Sequence, residues 1–213
     1  VNDYQPRSKN QLAAYQSIDS NTFTFLIGPP GCGKSFISLF KAVQYYQSGK
    51  ISKIVIIRPC IEANFGEKLG SMPGTANEKI AVHLGAIYDN IKYFLQPCDV
   101  ENMINKGQIE LVPLSFIRGR SFNSSYIIVE EAQNVSAGGI FTILTRVGLN
   151  CKMVINGDPN QCDVKYSDFM NSITKIQTPH LLKDFGIVEF NAREDIIRNP
   201  NISHIIKRFQ NHG

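Results

Sequence analysis

No apolar run in the 213-residue sequence approaches the length of a membrane span, and the polar opening "VNDYQPRSKN" lacks the apolar core of a secretory signal. No membrane partner is therefore expected. Cysteine forms no usable pattern: Cys32, Cys60, Cys98, Cys151 and Cys162 are odd in number, no two make a Cys-x-x-Cys pair, and the four histidines never cluster with them. This argues against a disulfide framework and a zinc site, and for a reducing, cytoplasmic setting. Charge of one sign is also in short supply. The net charge of +4 favours polyanions only mildly, too little to identify nucleic acid as a partner. Repeats, low-complexity segments and Gly/Ser linkers are missing as well, so nothing divides the chain, and its length suits one domain over residues 1–213.

What is present is an ordinary apolar content of 43%, enough to bury a core, arranged as short β-branched runs between helical segments. The runs are "TFTFLI" (22–27), "KIVIIR" (53–58), "IELVPL" (109–114), "YIIVE" (126–130), "KMVIN" (152–156) and "GIVEF" (186–190). Runs this apolar suit strands buried on both faces of a parallel sheet. Helices are expected over Lys34 to Ser48, closed by Gly49, and over about 77–95, where Ile80, Leu84, Ile87, Ile91 and Phe94 share a face. Two more are expected, from a Ser136 cap towards Val147 and over "NISHIIKRF" near the end. Strand–helix alternation of this kind predicts an α/β fold, a mainly parallel central sheet with helices on both faces. Cys60 to Asn77, rich in glycine, reads as a long loop and a candidate moving part.

"FLIGPPGCGKSF" (25–36) satisfies G-x-x-x-x-G-K-[ST], with a strand before it and a helix after it. In such a loop Gly28, Pro29, Pro30, Gly31, Cys32 and Gly33 turn the backbone so that its N–H groups, with those of Lys34, Ser35 and Phe36 at the helix start, face a phosphate. Lys34 would reach the β- and γ-phosphates of ATP, and the Ser35 hydroxyl would ligate Mg²⁺. The bland alternative is a Gly/Pro turn that happens to precede a helix.

"YIIVEEAQN" (126–134) adds two carboxylates at a strand end. Glu130 can hold Mg²⁺, and Glu131 can orient the attacking water and take its proton, unless the pair is merely a solvated strand end. "VINGDPNQ" (154–161) places Asp158 and Gln161 after a further strand, where they could report loss of the γ-phosphate or simply form an Asp-Pro turn. The three clusters in this order predict an ATPase of the additional-strand, catalytic-glutamate type.

With the longer fragments "RPCIEANFGEKLGSMPG" (58–74), "PLSFIRGRSFNSSYIIVEEAQN" (113–134), "LTRVG" (144–148), "GDPNQCD" (157–163) and "DIIRNP" (195–200), the chain resembles the PhoH-like proteins from about Arg7 to Phe209. These are single-domain relatives of superfamily-one helicases. The resemblance implies a RecA-like P-loop core that hydrolyses ATP, and puts Gln11 where related helicases contact adenine. The family usually has Asp-Glu where this chain has Glu130-Glu131; strict magnesium geometry makes slow turnover or altered metal preference an expectation.

A site of this type is completed by arginine, which neutralises charge in the transition state. With one P-loop core in this sequence, efficient hydrolysis would require the arginine to come from a neighbouring subunit. This predicts a homo-oligomer, a ring such as a hexamer, with Arg146 and Arg198 as candidates. Arg58, Arg118 and Arg120 are candidates for contacting the backbone of RNA or single-stranded DNA, with Phe116 and Phe122 beside them for base stacking. For each of these the alternative is a core ring or a paired surface cation. Three functions stay open: a nucleic-acid-dependent motor, a nucleotide-dependent ring-assembly module with slow hydrolysis and no translocation, and a small-molecule phosphotransferase.

Overall fold

The structure is a computed structural model that describes residues 4–59, 89–136, 138–164, 167, 169–177 and 183–196. All six apolar runs form strands: β1 (Phe23–Ile27), β2 (Lys53–Arg58), β3 (Ile109–Pro113), β4 (Ser125–Val129), β5 (Lys152–Gly157) and β6 (Phe185–Glu189). They make one six-stranded sheet in the order β3-β2-β4-β5-β1-β6, and every neighbouring pair is parallel. β5 thus lies between the strand that ends in the phosphate loop and the strand that ends in the glutamate pair.

Alternation along the strands divides the core. Leu26, Ile54, Ile56, Ile128 and Val154 pack on one face against α1 (Lys9–Ser20), α2 (Lys34–Gln47) and α3 (Pro97–Asn105). Phe25, Val55, Ile57, Ile127 and Ile155 pack on the other against α4 (Gly139–Leu144) and α5 (Phe169–Ile176). Both faces are covered, which is why the strands read as continuous apolar runs. The fold is α/β, a RecA-like P-loop core.

α2 matches its expected span, and Gly49 follows it at φ +70°. The helix expected from Ser136 to Val147 is shorter. Gly138, left-handed at φ 76°, starts α4, because Ser136 is held in an antiparallel bridge to Ser167. At the other end Val147 is drawn into a bridge with Phe122. Of the helix expected over about 77–95, residues 89–91 form a helical turn and those before 89 lie outside the described residues, as do the 60–77 loop, the C-terminal helix and Arg198. Among the described residues no helix is long and apolar enough to cross a membrane.

Candidate active site

β1 delivers the chain to Gly28, whose N–H donates to Gly157 O across the sheet (3.0 Å). Directly beyond β6, Phe190 packs so closely that a Cβ on Gly28 would lie 2.7 Å from Phe190 Cβ and 2.9 Å from its carbonyl oxygen. Only glycine fits. Cys32 and Pro29 are buried beneath the loop, with Cys32 Sγ donating to Pro29 O at 3.0 Å. Burial pushes the Cys32 thiol up in pKa, against the opposing influence of Lys34. α2 begins at Lys34, so its first amides lack carbonyl partners within the helix and lie beside the positive end of its dipole. Lys34 Nζ bends back over the loop, donating to Gly28 O (2.5 Å) and Pro29 O (2.9 Å).

Beneath the loop the first glutamate is tightly engaged. Ser35 Oγ donates to Glu130 Oε2 (2.9 Å) and Asn156 Nδ2 to Glu130 Oε1 (3.0 Å). Asn156 lies in β5 one step past the Val129–Ile155 pair, so sheet register alone brings it opposite Glu130. Ser38 Oγ reaches both Lys34 O (2.8 Å) and Asn156 Oδ1 (3.1 Å), fixing the amide's orientation. Burial pushes the Glu130 carboxyl up to about 7; the hydrogen bonds from Ser35 and Asn156 oppose it, and the Glu131 charge adds to it. The Ser35 hydroxyl and Glu130 carboxylate are hard oxygen donors side by side, which suits magnesium completed by phosphate and water. Among the described residues no three His, Cys, Asp or Glu side chains gather into a larger cation cage.

Glu131 sits in the left-handed region at φ 53°, ψ 40°. Such backbone strain costs on the order of 1–3 kcal/mol and persists only where the surroundings impose it. Here Gln133, nearly fully buried, holds the Glu131 side chain. Its Nε2 donates to Glu131 Oε2 (2.7 Å) and lies 3.3 Å from Gln161 O, and its Oε1 accepts from the Asp158 amide (3.0 Å). Asp158 in turn accepts from Asn160 N (3.0 Å) and caps the turn Pro159–Gln161. Gln133 therefore links the acid pair to the loop after β5.

These groups converge on a cleft of about 650 Å³. Pro30, Gly31, Gly33, Lys34 and Ser35 form its floor; Glu130, Glu131 and Gln133 form one wall, and Asp158 and Gln161 extend it. The far end is made by Tyr4, Arg7, Gln11, Phe36 and Tyr93. Gln11 is buried and bonded to Cys32 O (3.0 Å), so it is no plain surface residue. Asn156, Ser38, Gln133, Tyr4 and Arg7 were missed from sequence. For Gln133 the signal was adjacency to the glutamate pair, and for Asn156 a polar residue inside an otherwise apolar strand.

The other arginines lie elsewhere. Arg120 pairs with Glu110 at 2.8 Å, beside Lys53, and these partners hold the Glu110 carboxyl below its ordinary range. Phe122 is a core residue, 4% exposed, with Arg120 over its ring, whereas Phe116 is 69% exposed and Arg118 is exposed. Arg58 Nη2 lies 3.9 Å from Glu131 Oε1, a long, half-exposed contact. Among the described residues Arg146 donates to neutral oxygens, Thr142 O, Arg120 O and Thr145 Oγ1.

Comparison with known proteins gives a match to the family described as PhoH-like protein over residues 3–210. A PhoH-like protein of Mycobacterium bovis is 34% identical over 205 residues, covering 96% of this chain and 57% of the relative. A PhoH-like protein of Bacillus subtilis is 33% identical over 203 residues, covering 95% of this chain and 63% of the relative. The chain thus spans less than two thirds of the length of these relatives. Among solved structures, the large terminase of a thermophilic bacteriophage aligns with a TM-score of 0.56 at 12% identity, covering 96% of this chain and 50% of that one. At that identity the likeness concerns the fold.

Proposed function

The chain belongs to the PhoH-like family, and on that premise we propose that it hydrolyses ATP in this cleft and couples hydrolysis to movement on RNA or single-stranded DNA as an oligomer. The observation that carries the reading is the convergence of Lys34, the Ser35–Glu130–Asn156 cluster and a strained Glu131 on one cleft. Lys34 exchanges its two loop carbonyls for β- and γ-phosphate oxygens. Ser35 and Glu130 would hold a magnesium ion, which when bound would neutralise charge on the phosphates. Glu131, aimed by Gln133, orients a water against the γ-phosphorus and accepts its proton as the water–phosphorus bond forms. The bond to the β–γ bridging oxygen breaks, and ADP and phosphate leave. Through Gln133, the same amide that holds Glu131 also holds the Asp158–Gln161 turn, which gives that turn a way to respond to the missing phosphate.

An arginine from a neighbouring subunit completes the site. Arg146 supports this reading because, among the described residues, its guanidinium meets neutral acceptors and does not line its own chain's cleft; Arg198 is the other candidate. Arg58 and Arg118 remain proposed polynucleotide contacts, while the pairing of Arg120 with Glu110 weakens its case. A cytoplasmic setting belongs to the same reading, supported by the free thiols of Cys32, Cys98, Cys151 and Cys162.

Glu130 favours a second reading, a ring-assembly module with slow turnover. Both of its carboxylate oxygens are already hydrogen-bonded, and burial raises its pKa, so binding a dication competes with those bonds and with protonation. Phosphate release measured with and without single-stranded RNA or DNA, at two salt concentrations, separates the two. Stimulation that fades with salt supports the motor. Turnover indifferent to both polymers refutes it and leaves the assembly module.

A further inference from the structure

We propose that the site accepts nucleoside triphosphates with little regard to the base, because Gln11 braces the phosphate loop instead of reading adenine. This inference rests on the ATP site described above. A glutamine that reads adenine accepts from the N6 amine through its oxygen and donates to N7 through its nitrogen. The Gln11 oxygen already accepts from Tyr4 OH (2.9 Å) and from the Arg7 amide (2.9 Å), which fills both lone pairs of a carbonyl. Its nitrogen spends a hydrogen on Cys32 O (3.0 Å) inside the phosphate loop. The amide cannot be turned round, since a backbone N–H only donates and a backbone carbonyl only accepts. A Cβ on Gly33, at φ +92°, would meet Gln11 Nε2 at 3.0 Å, so the brace and the loop are fitted to each other.

The brace is anchored. The Gln11 amide donates to Ser8 Oγ (3.1 Å), the cap of α1, and Ser8 Oγ donates to Asp195. Asp195 is completely buried and also accepts from Asn10 Nδ2 (2.9 Å) and the Asn191 amide (2.6 Å). Through the backbone N–H and the side-chain amide of Gln11, the segment after β6 is thus tied to the phosphate loop. Breaking the tie for adenine would leave the Tyr4 hydroxyl and Arg7 amide without their acceptor.

Aromatic rings are left for the base. Tyr4 and Phe36 lie 5.3 Å apart at 57°, and Tyr93, 68% exposed, lies 5.9 Å from Phe36. Stacking on such rings tolerates any base, since each has a π-face.

The test is displacement of a fluorescent ADP analogue by ATP, GTP, CTP, UTP and inorganic tripolyphosphate. Base-tolerant stacking predicts that ATP and GTP compete within about threefold of each other on the unaltered protein, a comparison that needs no variant to fold. Gln11→Ala should weaken all competitors, tripolyphosphate included, by a common factor of about tenfold, because the lost contact supports the loop. Tyr93→Ala, which removes a cleft ring that makes no bond to the brace, should weaken the nucleotides and spare tripolyphosphate. ATP bound about a hundredfold more tightly than GTP, the discrimination a bidentate amide contact provides, would overturn the inference. Unchanged affinities in Gln11→Ala would overturn it equally. ATP-selective binding leaves the ATPase reading standing, whereas failure of the labelled nucleotide to bind at all would remove both.

Discussion

Replacing Glu130 by glutamine should make the folded protein more stable at neutral and alkaline pH while disabling the site. The carboxyl is raised from its ordinary 4.5 to about 7, chiefly by burial. Because the folded value lies above the unfolded one, the folded chain keeps a proton that the unfolded chain gives up. The penalty is absent below about pH 4.5, grows between the two values and is complete above about pH 7. A shift of that size corresponds to about 3 kcal/mol at 1.36 kcal/mol per unit, an upper figure because Glu130 is not fully enclosed and water screens it. Glutamine fits the same space: its amide nitrogen can donate to Ser35 Oγ and its oxygen can accept from Asn156 Nδ2, the partners at 2.9 and 3.0 Å. Urea unfolding of both proteins without metal or nucleotide reads the difference. The variant should exceed the parent by about 2–3 kcal/mol near pH 8 and by no more than about 0.5 kcal/mol near pH 4.5. A variant less stable than the parent near pH 8, or a gap that ignores pH, would show that the Glu130 carboxylate is not held at a cost.

Gln133→Leu should strand the Asp158 amide and loosen Glu131. Urea unfolding should show a loss of about 1–3 kcal/mol, and phosphate release should slow while nucleotide affinity stays within about threefold. Gly28→Ala places a methyl 2.7 Å from Phe190 Cβ at a backbone φ of +151°. It should cost about 2 kcal/mol or more in thermal unfolding, and an unchanged melting temperature would mean that Phe190 does not brace the loop.

The sheet was legible because its strands are buried on both faces, so each announces itself as an unbroken β-branched run. The phosphate loop and the glutamate pair were legible because their chemistry is local in sequence. α1 was not legible, since "KNQLAAYQSIDS" is too polar to show a face. Its one clear signal was Ser8 followed three residues later by Gln11, the capping-box spacing, of which one half forms: the Gln11 backbone N–H bonds Ser8 Oγ at 3.1 Å, while the Gln11 side-chain oxygen accepts from Arg7 N at 2.9 Å. α3 and α5 were missed as well, being 9 and 8 residues long, too short for their spacing to stand out. The least legible parts of the site depend on long-range placement. Asn156 meets Glu130 only through the parallel register of β4 and β5, and Gln133 meets Asp158 25 residues further along the chain. Gln11 does line the cleft, but its hydrogen-bond partners Tyr4, Arg7 and Cys32 are set by how α1 docks on the loop, which no local pattern encodes.

The most direct measurement is phosphate release from magnesium ATP by the parent protein and by Glu131→Gln, with nucleotide binding measured in parallel. Both should bind ATP, and turnover in the variant should be lower by about 10²–10⁴, the range lost when a positioned general base is removed. Undiminished turnover in Glu131→Gln would contradict it and take the water-activating role away from this strained residue.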